Sequence, residues 1–196
     1  LLDDFMLNVL VIDESRSRAG DICAGLALAG YQVAAILADA ANLAAEVERL
    51  RPDVILIDTD SPSRDTLEHL ATVSRDLPRP VVIFTKDEGE SAIRDAVRAG
   101  VSAYIVDGLE AKRIKPILEV ARARFEDTQA LRREVESLSQ KLSDRKLIEK
   151  AKGVLMKARG LDEEAAYGAM RKLAMERGQT LAKVARDIND MAALLL

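Results

Sequence analysis

Val54-Ile55-Leu56-Ile57-Asp58 is the stretch on which the fold turns. Its four apolar residues run on without the in-and-out alternation of a half-exposed strand, so helices must cover both faces. Short β-rich runs recur at Asn8 to Ile12, Gln32 to Ile36, Val81 to Phe84 and Ala103 to Val106, with helical patterns between them. Strand and helix in alternation predict a parallel sheet. Five of each within about 115 residues predict an α/β, flavodoxin-like, doubly wound domain whose ligands gather at the carboxyl ends of the strands. Those ends carry Asp13 and Glu14, Asp58, Thr85 and Asp107.

Any one of these acids means little, because aspartate favours turns and helix caps. Their joint placement resembles the response-regulator receiver. In that family the first acidic pair and the aspartate after strand three hold Mg²⁺, that aspartate accepts a phosphoryl group, and a hydroxyl residue contacts the phosphate. The resemblance assigns these roles to Asp13, Glu14, Asp58 and Thr85, makes Asp13 and Asp58 the candidate Mg²⁺ ligands, and places Pro62 and Tyr104 at family positions. The run from Gly100 to Gly108 departs from the pattern. Asp107 stands where the family has lysine, and Gly108 where it has proline. A carboxylate there removes the ammonium that offsets the phosphate charge. At an effective dielectric near 20, each close like-charged pair costs roughly 4 kcal/mol. The expectation is a receiver that phosphorylation does not switch. The alternative is a phosphorylation-controlled response regulator with a nucleic-acid-binding output domain.

The chain has 196 residues, 48% hydrophobic and 32% charged, which suits two unequal globular domains. Its single cysteine, Cys23, forms no internal disulfide, and the apolar stretch from Ala24 to Ala38 is too short to span a bilayer. Leu1 to Phe5 lacks a basic leader pattern, so a cytoplasmic protein without membrane association is expected. His69 is the only histidine and has no nucleophile or metal spacing around it, so an enzyme is not expected. Net charge is -4, yet residues 141 to 190 hold twelve Lys plus Arg against eight Asp plus Glu. That segment is therefore +4 and the remainder -8, an acidic front and a basic back compatible with a polyanion at one end.

After the fifth strand a glycine-free helical pattern runs from about Ala111 to Leu142, with Pro116 near its start. Leu118, Ala121, Phe125, Leu131, Val135, Leu138 and Leu142 follow three-four spacing, with a three-residue step between Thr128 and Leu131 that overwinds a supercoil. Leu118, Phe125, Leu131, Val135, Leu138 and Leu142 are the expected dimerisation residues of a coiled coil. The competing reading folds the seam back on its own domains.

Three amphipathic segments close the chain: Asp144 to Ala158, Asp162 to Glu176 and Thr180 to Leu194. Gly160 and Gly178 suit left-handed helix ends, and Asp162 and Thr180 suit N-caps. On the first segment Leu147, Ile148, Ala151, Val154, Leu155 and Ala158 form an apolar arc. Arg145, Lys152 and Arg159 recur beside it, Lys146, Lys150 and Lys157 lie opposite with Gly153, and Glu149 is the one acid among them. Such a face suits phosphate contact, although lysine-rich outer faces are also ordinary helix decoration. Arg145 to Met156 (RKLIEKAKGVLM), followed by Glu164-Ala165-Ala166-Tyr167, Leu173-Ala174-Met175 and Leu181-Ala182-Lys183-Val184-Ala185, resembles the ANTAR module, an all-α three-helix RNA-binding domain of antiterminators. The resemblance implies RNA contact by Arg145, Ala151, Lys152 and Gly153; charge adds Lys146, Lys150 and Lys157. Tyr167, Met156, Met170 and Met175 are expected in the core. With 3% aromatic residues, the chain has no sheet-based stacking platform.

The expected organisation is a receiver-like domain over residues 6–115, a coiled-coil dimerisation helix over 116–142 and an ANTAR domain over 143–196. With Asp58-Thr59-Asp60-Ser61-Pro62-Ser63-Arg64-Asp65 and Val101 to Val106, the chain is similar to NasT-type antiterminators of nitrate and nitrite assimilation. That resemblance implies a homodimer binding leader RNA hairpins, restrained by a nitrate-sensing partner of NasS type.

Overall fold

The computed structural model describes residues 6–14, 19–106 and 110–195. The chain forms two compact units, one running through Gln129 and the other beginning at Ala130.

In the first unit, β1 (Asn8–Asp13), β2 (Gln32–Leu37), β3 (Val54–Asp58), β4 (Val81–Thr85) and β5 (Ala103–Val106) make one parallel sheet in the order β2-β1-β3-β4-β5. The helices between them are α1 (Ala19–Leu28), α2 (Leu43–Leu50), α3 (Arg64–Asp76) and α4 (Glu90–Arg98). This is the doubly wound order expected, and the order reverses at β1, beside β3. Alternate strand residues feed two cores. Leu10, Ile12, Ile55, Ile57, Val81 and Ile83 pack with Leu43, Val47, Leu70, Val73 and Ala96. Val9, Val11, Val54, Leu56, Val82 and Phe84 pack with Ile22, Leu26, Ile114, Leu118 and Ala121. Fully burying each such side chain contributes roughly 1.5 to 3 kcal/mol, so both faces of the sheet are held. Gly100 takes φ 89° in the turn into β5, where an added Cβ would run into the Ser74 side chain.

The two helical stretches expected on either side of Ser143 are one helix, α5 (Ala111–Arg159, 49 residues). Ser143 and Asp144 are residues that often start helices, but neither breaks one when exposed and flanked by good helix formers. Pro116 lies inside α5 near its start. Its missing N–H leaves one carbonyl of the preceding turn without an intrahelical donor. The first turns of α5 belong to the receiver core: Ile114, Leu118 and Ala121 are completely buried, and the Tyr31 hydroxyl donates to Glu119 Oε1 at 2.7 Å. Burial pushes the Tyr31 hydroxyl up to about 12, and the Glu119 carboxylate adds to it.

This placement corrects the assignment of Leu118 to a dimer seam. Three-four spacing shows that a helix has an apolar stripe, not which neighbour covers it, and here the sheet does. Phe125 is half-buried and lines a cleft with Arg51, Pro52 and Arg79. Leu131, Val135, Leu138 and Leu142 stay between 55% and 63% exposed.

In the second unit α5 ends at Gly160, which is left-handed at φ 65°. Asp162 caps α6 (Glu163–Arg177) by accepting from the Ala165 N–H at 2.7 Å. Gly178 closes it at φ 60°, and the Thr180 hydroxyl accepts from the Lys183 N–H to start α7 (Leu181–Leu195). All four expected punctuation residues thus serve as such. Ala151, Met170, Ala174, Val184 and Ala185 form the centre of this unit. Asn189 Nδ2 ties α7 to α5 by donating to the Leu147 carbonyl at 3.0 Å. No helix among the described residues is long and apolar enough to cross a membrane.

Candidate nucleic-acid interface and receiver pocket

The receiver pocket is assembled by strand register. Asp13 ends β1 opposite Asp58 at the end of β3, and both carboxylates are buried, Asp58 at 0% exposure. The Glu14 N–H donates to the Asp58 carbonyl at 3.1 Å, fixing the turn after β1. Its carboxylate turns to α3 instead, where Glu14 Oε1 accepts from the Thr66 hydroxyl at 2.7 Å. Thr85, also buried, donates its hydroxyl to the Asp60 carbonyl at 2.9 Å and accepts from the Asp87 N–H at 3.1 Å. That hydroxyl therefore ties together the turns after β3 and β4. Asp107 and Gly108 lie outside the described residues.

Magnesium binds through one or two carboxylates and keeps several waters. Asp13 and Asp58, the two expected ligands, are neighbours by strand register. No group of three or more metal-binding side chains occurs among the described residues. Beside the pocket, the Ser61 hydroxyl donates to Asp87 Oδ2 at 2.6 Å and the Gly89 N–H to Asp87 Oδ1 at 2.9 Å. Those two bonds, the hydroxyl first, hold the Asp87 carboxyl below its ordinary value. Tyr104 donates to the Asp87 carbonyl at 2.9 Å, so its ring is tied to the turn after β4; burial first, and the Asp87 charge second, raise its hydroxyl.

In the second unit the structure separates the seven expected RNA-contact residues into two sets. Ala151 is completely buried in the three-helix core, and Lys152 is only 8% exposed. The Lys152 ammonium sits 2.7 Å from Glu163 Oε1 and 2.9 Å from Glu149 Oε1. Hydrogen bonds to Glu149 and then Glu163 hold the ammonium above its ordinary value, and the Glu163 carboxyl is correspondingly held below its own. Neither Ala151 nor Lys152 is presented at the surface of this unit, so the exposed part of the expected contact set lies elsewhere on α5. The Glu149 partner was legible at i,i+3, but the Glu163 partner lies on another helix, across a turn that periodicity does not describe.

The other set is exposed or half-exposed. Arg145, Lys146, Lys150 and Lys157 stand at the surface, and no ion pair among the described residues engages them. Gly153 lies between them, and a Cβ added there would meet nothing within 4 Å, so the helix surface is open at that point. Four uncommitted cations beside a bare stretch of backbone suit a phosphate chain. Sequence reasoning missed Arg171, which is exposed on α6 with no ion pair among the described residues. It also misplaced three apolar residues: Tyr167, Met156 and Met175 are exposed, and only Met170 is core. Five small or medium side chains already fill that core.

The Lys152 clamp gives a first testable outcome. A lysine with a raised value contributes fully below its unfolded pKa, and loses that contribution as pH rises through the folded one. A depressed carboxyl contributes above its unfolded value and loses it as pH falls through the folded one. The clamp is therefore intact around neutrality and fails at both extremes. Lys152→Ala is expected to lower the melting temperature of the second unit by several degrees at pH 7, with the difference shrinking in strong acid. It should leave the salt dependence of RNA binding unchanged. A normal melt with a shallower salt slope would return Lys152 to the contact surface.

Comparison with known proteins identifies the two domains. Residues 9–119 match the response regulator receiver domain and residues 136–188 match the ANTAR domain. The transcriptional regulatory protein PdtaR of Mycobacterium tuberculosis is 29% identical over 180 residues, covering 92% of this chain and 88% of that protein. A nitrate regulatory protein of Klebsiella oxytoca is 39% identical over 88 residues, 45% of this chain but 22% of that protein. Among solved structures, a CheY-like receiver from Methanospirillum hungatei JF-1 superposes with TM-score 0.54 over 63% of this chain and 98% of its own at 18% identity, which supports the fold.

Proposed function

Since the chain belongs to the response-regulator receiver family and carries an ANTAR antitermination module behind its receiver, we propose that it is a transcription antiterminator that binds paired hairpins in leader RNA. The observation that carries this is the division of labour on one helix. Of the five cations expected at the RNA, Lys152 is neutralised by carboxylates, while Arg145, Lys146, Lys150 and Lys157 are left to the surface. An all-protein role would have paired these cations more evenly. The likeness to a nitrate regulatory protein supports a leader in a nitrate or nitrite assimilation operon.

The protein acts as a homodimer. Leu131, Val135, Leu138 and Leu142 form a heptad-spaced apolar stripe that a second copy covers. Two ANTAR units at fixed separation turn the second hairpin contact into an intramolecular one. Domain limits follow: receiver through residue 115, pairing helix over 116–142, RNA-binding unit from 143, with the first turns of the helix also serving the receiver core.

Control comes from a nitrate-sensing partner of NasS type in the cytoplasm, and not from phosphorylation. Asp58 is buried against Asp13, and Thr85 spends its hydroxyl on backbone, so a dianionic phosphoryl group would enter a negative and tightly bonded pocket. The test is direct binding. At low ionic strength pure protein should prefer a two-hairpin nitrate-operon leader over a scrambled RNA of equal length by at least tenfold, and equal affinity would end the proposal. The nitrate-free sensor should remove that binding, and added nitrate should restore it.

A further inference from the structure

Tyr167 is the only aromatic residue from Ala130 to the end of the chain, and it is 43% exposed. Met170 and Ala174 of the same helix belong to the core of its unit, and Ala166 is completely buried as well. An exposed tyrosine offers a ligand both an apolar ring face and a hydroxyl. Its surroundings identify the kind of contact. Glu163, Tyr167, Arg171 and Met175 recur every fourth residue and form one stripe of α6. Beside the ring Gly168 leaves open space, since an added Cβ would meet nothing within 4 Å. One turn on, Arg171 is exposed and without an ion pair among the described residues.

The stripe is anchored to α5. Glu163 is held 2.7 Å from Lys152. On α5, Arg145, Glu149, Lys152, Met156 and Arg159 follow four-three spacing, so Arg145 and Arg159 flank the clamp along the same edge. Uncommitted cations thus stand on both helices, with Arg171 one turn from the exposed ring. Paired RNA offers a narrow groove that side chains read poorly, whereas sequence is read at unpaired loop bases stacked on aromatic rings.

We propose that Tyr167 is the base-reading residue of this domain: its ring stacks on an unpaired base of the hairpin loop while Arg171 holds an adjacent phosphate. This rests on the RNA-binding reading above. Phosphate contacts on α5 supply grip, and the Tyr167 stripe supplies sequence discrimination.

The experiment uses the full chain and a synthetic leader hairpin carrying 2-aminopurine at successive loop positions. Stacking on Tyr167 should quench one position strongly. Tyr167→Ala should weaken hairpin binding between about 5- and about 150-fold and abolish that quench, with an unchanged salt slope. Tyr167→Phe should keep both, and Arg171→Ala should lower the slope by about one unit. Tyr167→Leu keeps apolar bulk but has no π face, so it should bind as poorly as Tyr167→Ala. Rescue by leucine would make the residue merely structural and overturn the proposal, as would Tyr167→Ala binding within twofold of the parent with its quench intact. Failure of the parent to prefer hairpin over scrambled RNA would sink the RNA-binding reading itself, whereas tight parental binding indifferent to Tyr167 sinks only this one.

Discussion

Leu138→Asp is expected to bind a single hairpin about as well as the parent and a two-hairpin leader at least about 100-fold less well. The single chain should tolerate the change, because Leu138 is 57% exposed and makes no part of either core. Surface substitutions of that kind usually stay within about 0.5 kcal/mol. In a paired helix the same position sits in the middle of Leu131, Val135 and Leu142, where a carboxylate must be desolvated against its symmetry mate. The dimer then dissociates, and the second hairpin loses its raised effective concentration, an advantage worth roughly 10²- to 10⁴-fold. Sedimentation of the free protein and titration of one- and two-hairpin RNAs check both halves. A dimer that survives Leu138→Asp, or equal losses on the two RNAs, would place the pairing surface elsewhere.

Replacing Arg145, Lys146, Lys150 and Lys157 together by glutamine has the other large expected effect. Each phosphate neutralised by a cation releases counterions, so the slope of log affinity against log salt should fall by about three to four units. At low salt the loss of affinity should approach 10³-fold. The fold should be indifferent, because none of the four is ion-paired among the described residues and none belongs to the core of the second unit. Lys152→Ala makes the informative contrast, since its ammonium already has two carboxylates. An unchanged slope in the fourfold variant would remove α5 from the interface.

How much of this is legible in the sequence follows from where each residue finds its partners. The strands were legible to within a residue at their ends because buried parallel strands are continuous apolar runs, and the acids at their ends follow from the topology. Helix punctuation at Gly160, Asp162, Gly178 and Thr180 was legible because caps are local chemistry. Leu118 was misassigned because one periodic stripe serves both a sheet and a possible helix partner, and the sequence does not mark where the first hands over to the second. The ion pairing of Lys152 is not legible in the sequence, because its second carboxylate comes from α6. Tyr167 was misplaced because hydrophobic patterning ranks a tyrosine as core, while the space available is set by alanines and a methionine on the same helix.

The central claim is that an ANTAR unit with uncommitted cations acts on folded leader RNA. Transcription from a purified template bearing a two-hairpin leader and terminator measures it most directly, as the fraction of full-length transcript against protein concentration. The expected result is readthrough that rises with the parent protein, stays near background with the fourfold glutamine variant, and disappears when the hairpin sequences are scrambled. Readthrough that is flat with the parent, or that rises equally on the scrambled template, would contradict it.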